Sequence, residues 1–522
     1  MGTKALAIPR TKPGQPIEPF QHPAPKLTMA PPDMQPWKMS PPSMSPLHMT
    51  PPNMLLPNFS PIQDHMPLPT LSASKFCPPQ SFLMHKMDQP PSVVKFSRYD
   101  PTVMVVGTSP DDPDEPRAIE QPSSIVVFKV EDVEREVRGD REMIARDVYE
   151  VRVKVRPRLT QMTVIPTPAA ILDLKFSPHD PSLLVATLAT GTLLFYRMIW
   201  GKYTAEPLST HTIARGMTIN SFAFSPTKRN LAAAALSNGT CLLLTLPSSL
   251  TENDSLETSF TLQVSQASVM RCDFSVDGKR LYTAAEDGTI ISWATNKLPK
   301  IKERWRDSSV HKKGLTELIV WPAVGNPDIG KKRRALLTGS YDHKFRVLDM
   351  SLGNRPPLCV QDMDLEGIVW RLAPLPPLPK SEEVKSLKAG VFTPEQHPDV
   401  ELDAEQVGLM AASASGGGRV LIYKQKFEEI FLPRRDGSDI VNWTTSDGVL
   451  MDHEGREKKY YWYDLADIEE HGDAHVYACD AQAIIDYDPL FKDAGEQRKR
   501  RGWRLVSMDR DGVMHFWQVY VE

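Results

Sequence analysis

The sequence predicts an all-β protein, a seven-bladed β-propeller behind a disordered N-terminal tail. Three observations carry this expectation. A unit of short apolar strands recurs seven times, Asn-Gly or Asp-Gly turns fall at matching places within several copies, and 18 of the 48 prolines crowd into the first 70 residues.

The tail comes first. Its sequence runs A-P-P-D-M, Q-P-W-K-M, S-P-P-S-M, S-P-L-H-M, T-P-P-N-M, with methionine every five residues from Met29 to Met54. A period of five matches neither helix nor strand, and proline removes the backbone donors that either would need. Residues 1–82 are therefore expected to be extended and disordered, with polyproline II character. A ligand for a proline-binding domain and a tolerated low-complexity extension are both compatible with this composition.

Residues 83–522 read as the propeller. The copies begin at Ser92, Ile171, Ile219, Val269, Leu315, Ile368 and Ala483, and their later halves include L-S-N-G-T-C-L-L-L, A-E-D-G-T-I-I-S-W and D-R-D-G-V-M-H-F-W. Asn-Gly and Asp-Gly between apolar runs signal tight hairpins, because both turn positions need positive φ. Phe176, Phe224 and Phe274 are 48 and 50 residues apart, near the length of a four-stranded blade of the WD-repeat type. Seven blades of about 43 residues leave a surplus, which fits insertions near 109–122, 131–165, 373–407, 426–471 and 488–502, expected as surface loops. The run Val148–Arg156 alternates strictly and reads as an exposed outer strand. An early strand within 83–96 is expected to complete the last blade.

Composition narrows the function. Lys+Arg 61 against Asp+Glu 65 gives a net charge of −4, which argues against a protein built to grip nucleic acid or an anionic membrane. Five cysteines never stand at C-x-x-C spacing, so neither a disulfide scaffold nor a structural zinc site is expected, and a reducing, cytoplasmic location fits. The apolar stretch Leu183–Trp200 is broken by Thr190-Gly191-Thr192 and reads as two strands around a turn. No phosphate-cradling loop, dinucleotide fingerprint or H-E-x-x-H is present. No cofactor or metal is expected, nor direct nucleic-acid or membrane contact, and the chain is expected to be a monomer.

Some segments say more. Leu336-Leu337-Thr338-Gly339-Ser340-Tyr341-Asp342-His343, Ile368-Val369-Trp370-Arg371-Leu372, His311-x-x-Gly314-Leu315-Thr316 and Asp473-Ala474-His475-Val476-Tyr477-Ala478-Cys479-Asp480 stand in this chain. Together they resemble the diphthine methyl ester hydrolase family, WD-repeat enzymes of diphthamide biosynthesis. The resemblance covers roughly 170–520. It implies a seven-bladed propeller that removes the methyl ester from methylated diphthine on translation elongation factor 2, its protein substrate. The chain departs from the family pattern at Ala481, where Trp is usual, at Gly472-Asp473, and in the last hairpin Ser507-Met508-Asp509-Arg510.

Ester hydrolysis needs an activated oxygen nucleophile, a proton shuttle and donors for the oxyanion. The candidates are His343 beside Asp342, His311, and His475 near Asp480, with Ser340 as a possible nucleophile. Ser and Asp in such a turn also hydrogen-bond the backbone, and water activated by a His–Asp pair is the simpler scheme. The substrate's quaternary ammonium calls for aromatic faces. Trp370, Tyr341 and Tyr477 are the candidates, unless they only fill space between blades. Arg371 can hold the product carboxylate or pair with an acidic neighbour, and strand alternation is expected to turn it away from Trp370. The contrasting reading is a non-catalytic WD-repeat interaction scaffold.

Deleting residues 1–70, which hold no alternating apolar run, is expected to move the thermal midpoint by less than about 2 °C. A larger drop on differential scanning calorimetry would mean that the tail packs on the propeller.

Overall fold

The computed structural model describes residues 81–521, apart from 110–120, 139–150, 252–254, 326–331, 351–352, 404–406, 414–416, 429–456, 469–470, 472–474 and 494–495. The Pro/Met-rich segment lies outside the described residues. The rest is a seven-bladed β-propeller. Blades 1 to 6 are four-stranded antiparallel sheets at 91–167, 171–212, 219–263, 269–307, 315–364 and 369–468. Blade 7 combines Val476–Asp493, Glu496–Asp509 and Val513–Val521 with Leu83–Lys86 from the start of the described chain.

Burial follows position in the blade. Second strands such as Val103–Thr108, Leu183–Leu188 and Leu231–Leu236 are buried at every residue, because neighbouring blades cover both faces. They therefore read as continuous apolar runs. Outer strands such as Glu257–Gln263 and Leu358–Asp364 are mostly open to solvent. The core lies between blades: Val105 and Ile125 of blade 1 pack with Leu174 and Leu184 of blade 2, and Phe128 of blade 1 packs with Met514 and Phe516 of blade 7.

Closure uses less chain than the sequence suggested. Leu83–Lys86 alone pairs with Val513–Phe516 as the outer strand of blade 7, while Pro91–Phe96 is the inner strand of blade 1. The seventh inner strand begins at Val476, seven residues before the expected Ala483, which lies further along the same strand. Four expected surface loops contain strands: besides 131–165 and 373–407, Glu457–Ile468 lies within 426–471, and the described residues of 488–502 fall in Val476–Asp493 and Glu496–Asp509. Within 131–165, the described residues up to Arg138 and from Val151 onward pair as strands, Ser123–Arg138 on Val151–Thr167. Within 373–407, Leu375, Leu378, Val384 and Leu387 are buried, and Gly390–Phe392 adds a strand to blade 7 at Ala483–Ile485. Those leucines were apolar enough to be core; their proline-rich setting hid them.

Every inner strand carries a register bulge at its second residue: Ser92, Leu172, Asn220, Met270, Thr316, Trp370 and Tyr477. A bulge re-aims its side chain out of the strict alternation of a strand. These residues lie at the end of the propeller where inner strands start, here called the upper face. The other end is the lower face.

Removing the closing strand leaves the edge of Val513–Val521 unpaired and uncovers Met514 and Phe516. Deletion through residue 88 is expected to lower the thermal midpoint far more than deletion of 1–70, and to send the protein into the insoluble fraction. A soluble, cooperative monomer after this cut would contradict the role of Leu83–Lys86.

Candidate functional site

Three blades contribute one aromatic row on the upper face. Tyr341 comes from the second-to-third-strand turn of blade 5, Trp370 from the inner-strand bulge of blade 6, and Tyr477 from that of blade 7. Trp370 meets Tyr341 edge-on at 5.5 Å and Tyr477 at 5.5 Å between ring centroids. His475 extends the row, 6.2 Å from Tyr477. All four are half-buried.

In three of the seven blades the bulge position has a structural use that Trp370 does not share. In blades 1, 3 and 5 the bulge residue stitches its blade to the next. Ser92 Oγ donates to Ile171 O at 2.5 Å, Asn220 Nδ2 donates to Val269 O at 2.9 Å, and Thr316 Oγ1 donates to Val369 O. In Trp370 the indole Nε1–H is buried with no partner among the described residues. Leaving such a donor unpaired costs about 1–3 kcal/mol. A ring kept at that cost points to use of its face.

Burial raises the phenol of Tyr341, and nearby Glu286 adds to the effect. Gly314, from the His311-x-x-Gly314 motif, lies where a Cβ would come within 1.8 Å of Glu286 O. Only glycine lets the two blades meet closely enough to seat Tyr341, whose N–H donates to Gly314 O at 3.0 Å.

Arg371 points into the channel beneath the row. Its Nη2 donates to Leu172 O, on blade 2, at 3.1 Å, and its Nη1 lies 3.6 Å from Glu317. Glu317 also meets Arg271 at 2.8 Å, and Arg271 donates to Asn220 O at 2.9 Å. A guanidinium–carboxylate–guanidinium bridge thus floors the aromatic row. The bulge puts Trp370 and Arg371 at one channel end, where simple alternation would have separated them.

The structure does not gather Ser340, Asp342 and His343 into a nucleophile–acid–base row. Ser340 is fully buried, and its hydroxyl donates to Gly314 O at 2.8 Å. Asp342 pairs with Arg346 at 2.7 Å and with His311 at 3.3 Å. His343, half-buried, occupies the left-handed turn position at φ 66, where Gly191, Gly239, Gly288 and Gly512 stand in other blades. Asp480 accepts the Phe96 N–H at 2.7 Å and so joins blade 7 to blade 1, much as Asp173 accepts from Phe222 and Asp273 from Val320.

Two His–Asp pairs lie inside blades. In blade 5, Arg346 Nη1 donates to His311 Nδ1 at 2.5 Å, so His311 is the Nε2–H tautomer, donating to Thr338 Oγ1 at 2.8 Å. Burial and the Arg346 charge lower the His311 imidazole to about 4. Burial would raise the Asp342 carboxyl, but Arg346 and His311 outweigh it and hold it at about 2. In blade 7, sequence reasoning passed over a relay of Trp517, Ser507, His471 and Asp509. Trp517 Nε1 donates to Ser507 Oγ at 2.8 Å, and His471 contacts Ser507 at 2.6 Å and Asp509 at 2.8 Å. Its one signal was a Ser-x-Asp before a Trp. His471, Asp509 and His515 cluster closely enough to suggest a metal, but both His471 nitrogens are already committed.

A WD domain, G-beta repeat matches residues 256–294, from the outer strand of blade 3 to the third strand of blade 4. The chain is 28% identical over 207 residues to a protein of Schizosaccharomyces pombe named diphthine methyltransferase, over 39% of this chain and 56% of that protein. It thus spans a little over half the length of that relative. Similar folds occur in a chain of the crystal structure of the mitotic checkpoint complex (TM-score 0.45, 11% identity, 85% of this chain and 95% of that one) and in Sqt1 of Saccharomyces cerevisiae (TM-score 0.46, 10% identity, 85% and 99%).

His311 makes a pH test possible. Between its ordinary value of 6.5 and about 4, the unfolded chain binds a proton that the folded chain refuses. Stability therefore falls as pH drops through this window, and falls further as Asp342 protonates toward pH 2. His311→Gln is expected to lower the urea midpoint at pH 7.5 yet flatten the slope between pH 6.5 and 4, by up to about 1.4 kcal/mol per pH unit. An unchanged slope would show that His311 does not titrate with unfolding.

Proposed function

We propose that this chain hydrolyses the methyl ester of methylated diphthine on translation elongation factor 2. The observation that carries the reading is the row of Tyr341, Trp370 and Tyr477, set in two bulges and one turn where a stitching residue would favour stability. A trimethylammonium group binds to aromatic faces through the ring quadrupole, best to Trp. The partial likeness to a protein named diphthine methyltransferase supports a diphthine-related substrate.

In this reading Trp370 and its two tyrosines hold the cation, and the ester lies over the Arg371 floor. A water attacks the ester carbonyl while an imidazole takes its proton. The tetrahedral intermediate then collapses, the imidazolium protonates the departing methoxide, and methanol leaves behind a carboxylic acid that gives its proton to solvent as it becomes carboxylate. His475, 6.2 Å from Tyr477 between ring centroids, is the imidazole at the row, and His343, two residues after Tyr341 in the same turn, is the alternative. Asp342, Ser340 and Asp480 support the turns and the ring that position them. Arg371 meets the new carboxylate with the donors it does not spend on Leu172 and Glu317.

A second reading is a non-catalytic protein-interaction scaffold. It is favoured by the two His–Asp pairs, His311–Asp342 and His471–Asp509, lying inside blades instead of at the aromatic row.

Mass spectrometry of methylated-diphthine elongation factor 2 after incubation with the full chain tests the proposal. Loss of one methylene's mass is the expected result. No change would sink the hydrolase and leave the scaffold, and a gain of one methylene on diphthine with a methyl donor would instead support transfer. Trp370→Phe is expected to cut turnover at low substrate by about tenfold with little change in melting, since it also removes the orphaned N–H. His343→Gly relieves a left-handed non-glycine residue and should raise stability by up to about 1 kcal/mol. Reduced turnover in this more stable variant is expected if His343 serves the reaction; normal turnover assigns the imidazole role to His475.

A further inference from the structure

We propose that the phenol hydroxyl of Tyr341 donates the hydrogen bond that holds the negative charge of the tetrahedral intermediate. This rests on the ester hydrolysis proposed above, and it supplies the oxyanion donor that such chemistry needs.

The two ends of this side chain suit different tasks. Its ring meets Trp370 edge-on at 5.5 Å and belongs to the cation-binding row. Its hydroxyl makes no hydrogen bond among the described residues, and the side chain is only half-buried, so the donor is open to a ligand. The indole N–H of Trp370 is buried out of a ligand's reach. Arg371 lies lower, turned to Leu172 O and Glu317.

The surroundings of the phenol fit a donor. Burial raises it above its ordinary value of 10.0, Glu286 of the blade 4 turn adds to the rise, and Arg271 of the floor offsets part of it. The hydroxyl therefore stays protonated at neutral pH and lies within reach of the floor's charge. The substrate's quaternary ammonium stands beside its ester, so a ring that contacts the one carries its hydroxyl toward the other. No proton leaves Tyr341. The attacking water gives its proton to the imidazole while the carbonyl π electrons move onto the oxygen that the phenol holds. They return as the bond to methoxide breaks.

The turn that carries Tyr341 is fixed before any substrate arrives. Its N–H donates to Gly314 O at 3.0 Å, and Ser340 Oγ donates to the same carbonyl at 2.8 Å. Asp342 N–H donates to Ser340 Oγ at 3.1 Å, and the Asp342 carboxylate is anchored by Arg346 at 2.7 Å. A donor held in place loses no free energy to reorganisation when charge develops. Ser340 and Asp342 are thus positioning residues for the hydroxyl between them.

Tyr341→Phe in the full chain keeps the ring and removes only the donor. With methylated-diphthine elongation factor 2, kcat is expected to fall by about a hundredfold or more, with KM and melting temperature little changed. Calorimetric titration with two probes gives a readout that needs no turnover. The monomethyl ester of trimethylammonio-methylphosphonate carries the intermediate's tetrahedral anionic centre, and it should bind Tyr341→Phe about tenfold more weakly than the unaltered chain. Choline has the cation without that centre and should bind both chains alike. Equal weakening for the two probes would assign Tyr341 to the cation row alone and overturn the proposal. A normal kcat in Tyr341→Phe, or a loss found only in Tyr477→Phe, would also overturn it while the esterase stands. An inactive unaltered chain would sink the esterase and this proposal together.

Discussion

A ring of sheets holds together when every blade has its full set of strands, and here that condition falls on four residues. Leu83–Lys86 supplies the outer strand of blade 7 from the opposite end of the chain. Asp480 with Phe96, Gln482 with Pro101 and Arg504 with Asp132 bind the same seam from the channel side and the lower face. Each spans more than 370 positions in sequence. The other six junctions join blades consecutive in sequence. This one must bring the first and last strands of the propeller together, so the geometry of the whole channel rests on it.

Inside the ring, the inner strands share one irregularity with two uses. The bulge at the second residue lets Ser92, Asn220 and Thr316 reach a carbonyl on the next blade. The same bulge turns Trp370 and Tyr477 into a row with Tyr341 at the upper rim. An interlocked scaffold can absorb one unpaired indole N–H of about 1–3 kcal/mol, because its remaining contacts are spread over seven blades. Where stability has been given up is therefore informative about where the chain is used.

The buried His–Asp pairs show why chemistry-bearing residues in a repeat fold need their neighbours before they are assigned. His311 with Asp342, and His471 with Asp509, have the composition of a catalytic base and its orienting acid. Arg346 occupies one ring nitrogen of His311 and Thr338 the other, and Ser507 and Asp509 take those of His471. An imidazole with both nitrogens engaged inside a blade holds strands in place. Its proton is unavailable to a ligand at the rim.

Much of the fold could be read directly. Seven copies of a strand unit, apolar second strands and Gly-bearing turns dictate a propeller, because buried-face periodicity and positive-φ turns are local properties. Trp370, Tyr341 and Tyr477 could be chosen as aromatic candidates from their motifs, and Ser340 and Asp342 as turn residues. Their relations could not. The start of blade 7 slipped by seven residues because Ala483–Asp486 is as apolar as Val476–Asp480, and only pairing with Asp509 decides between them. The insertion at 373–407 looked polar because its buried leucines are separated by prolines, and it takes contact with blade 7 to show their use. A bulge leaves no mark in the residues it re-aims. Which side chains meet across blades, and which His has a nitrogen to spare, depends on packing between segments distant in sequence, and tertiary structure alone decides that.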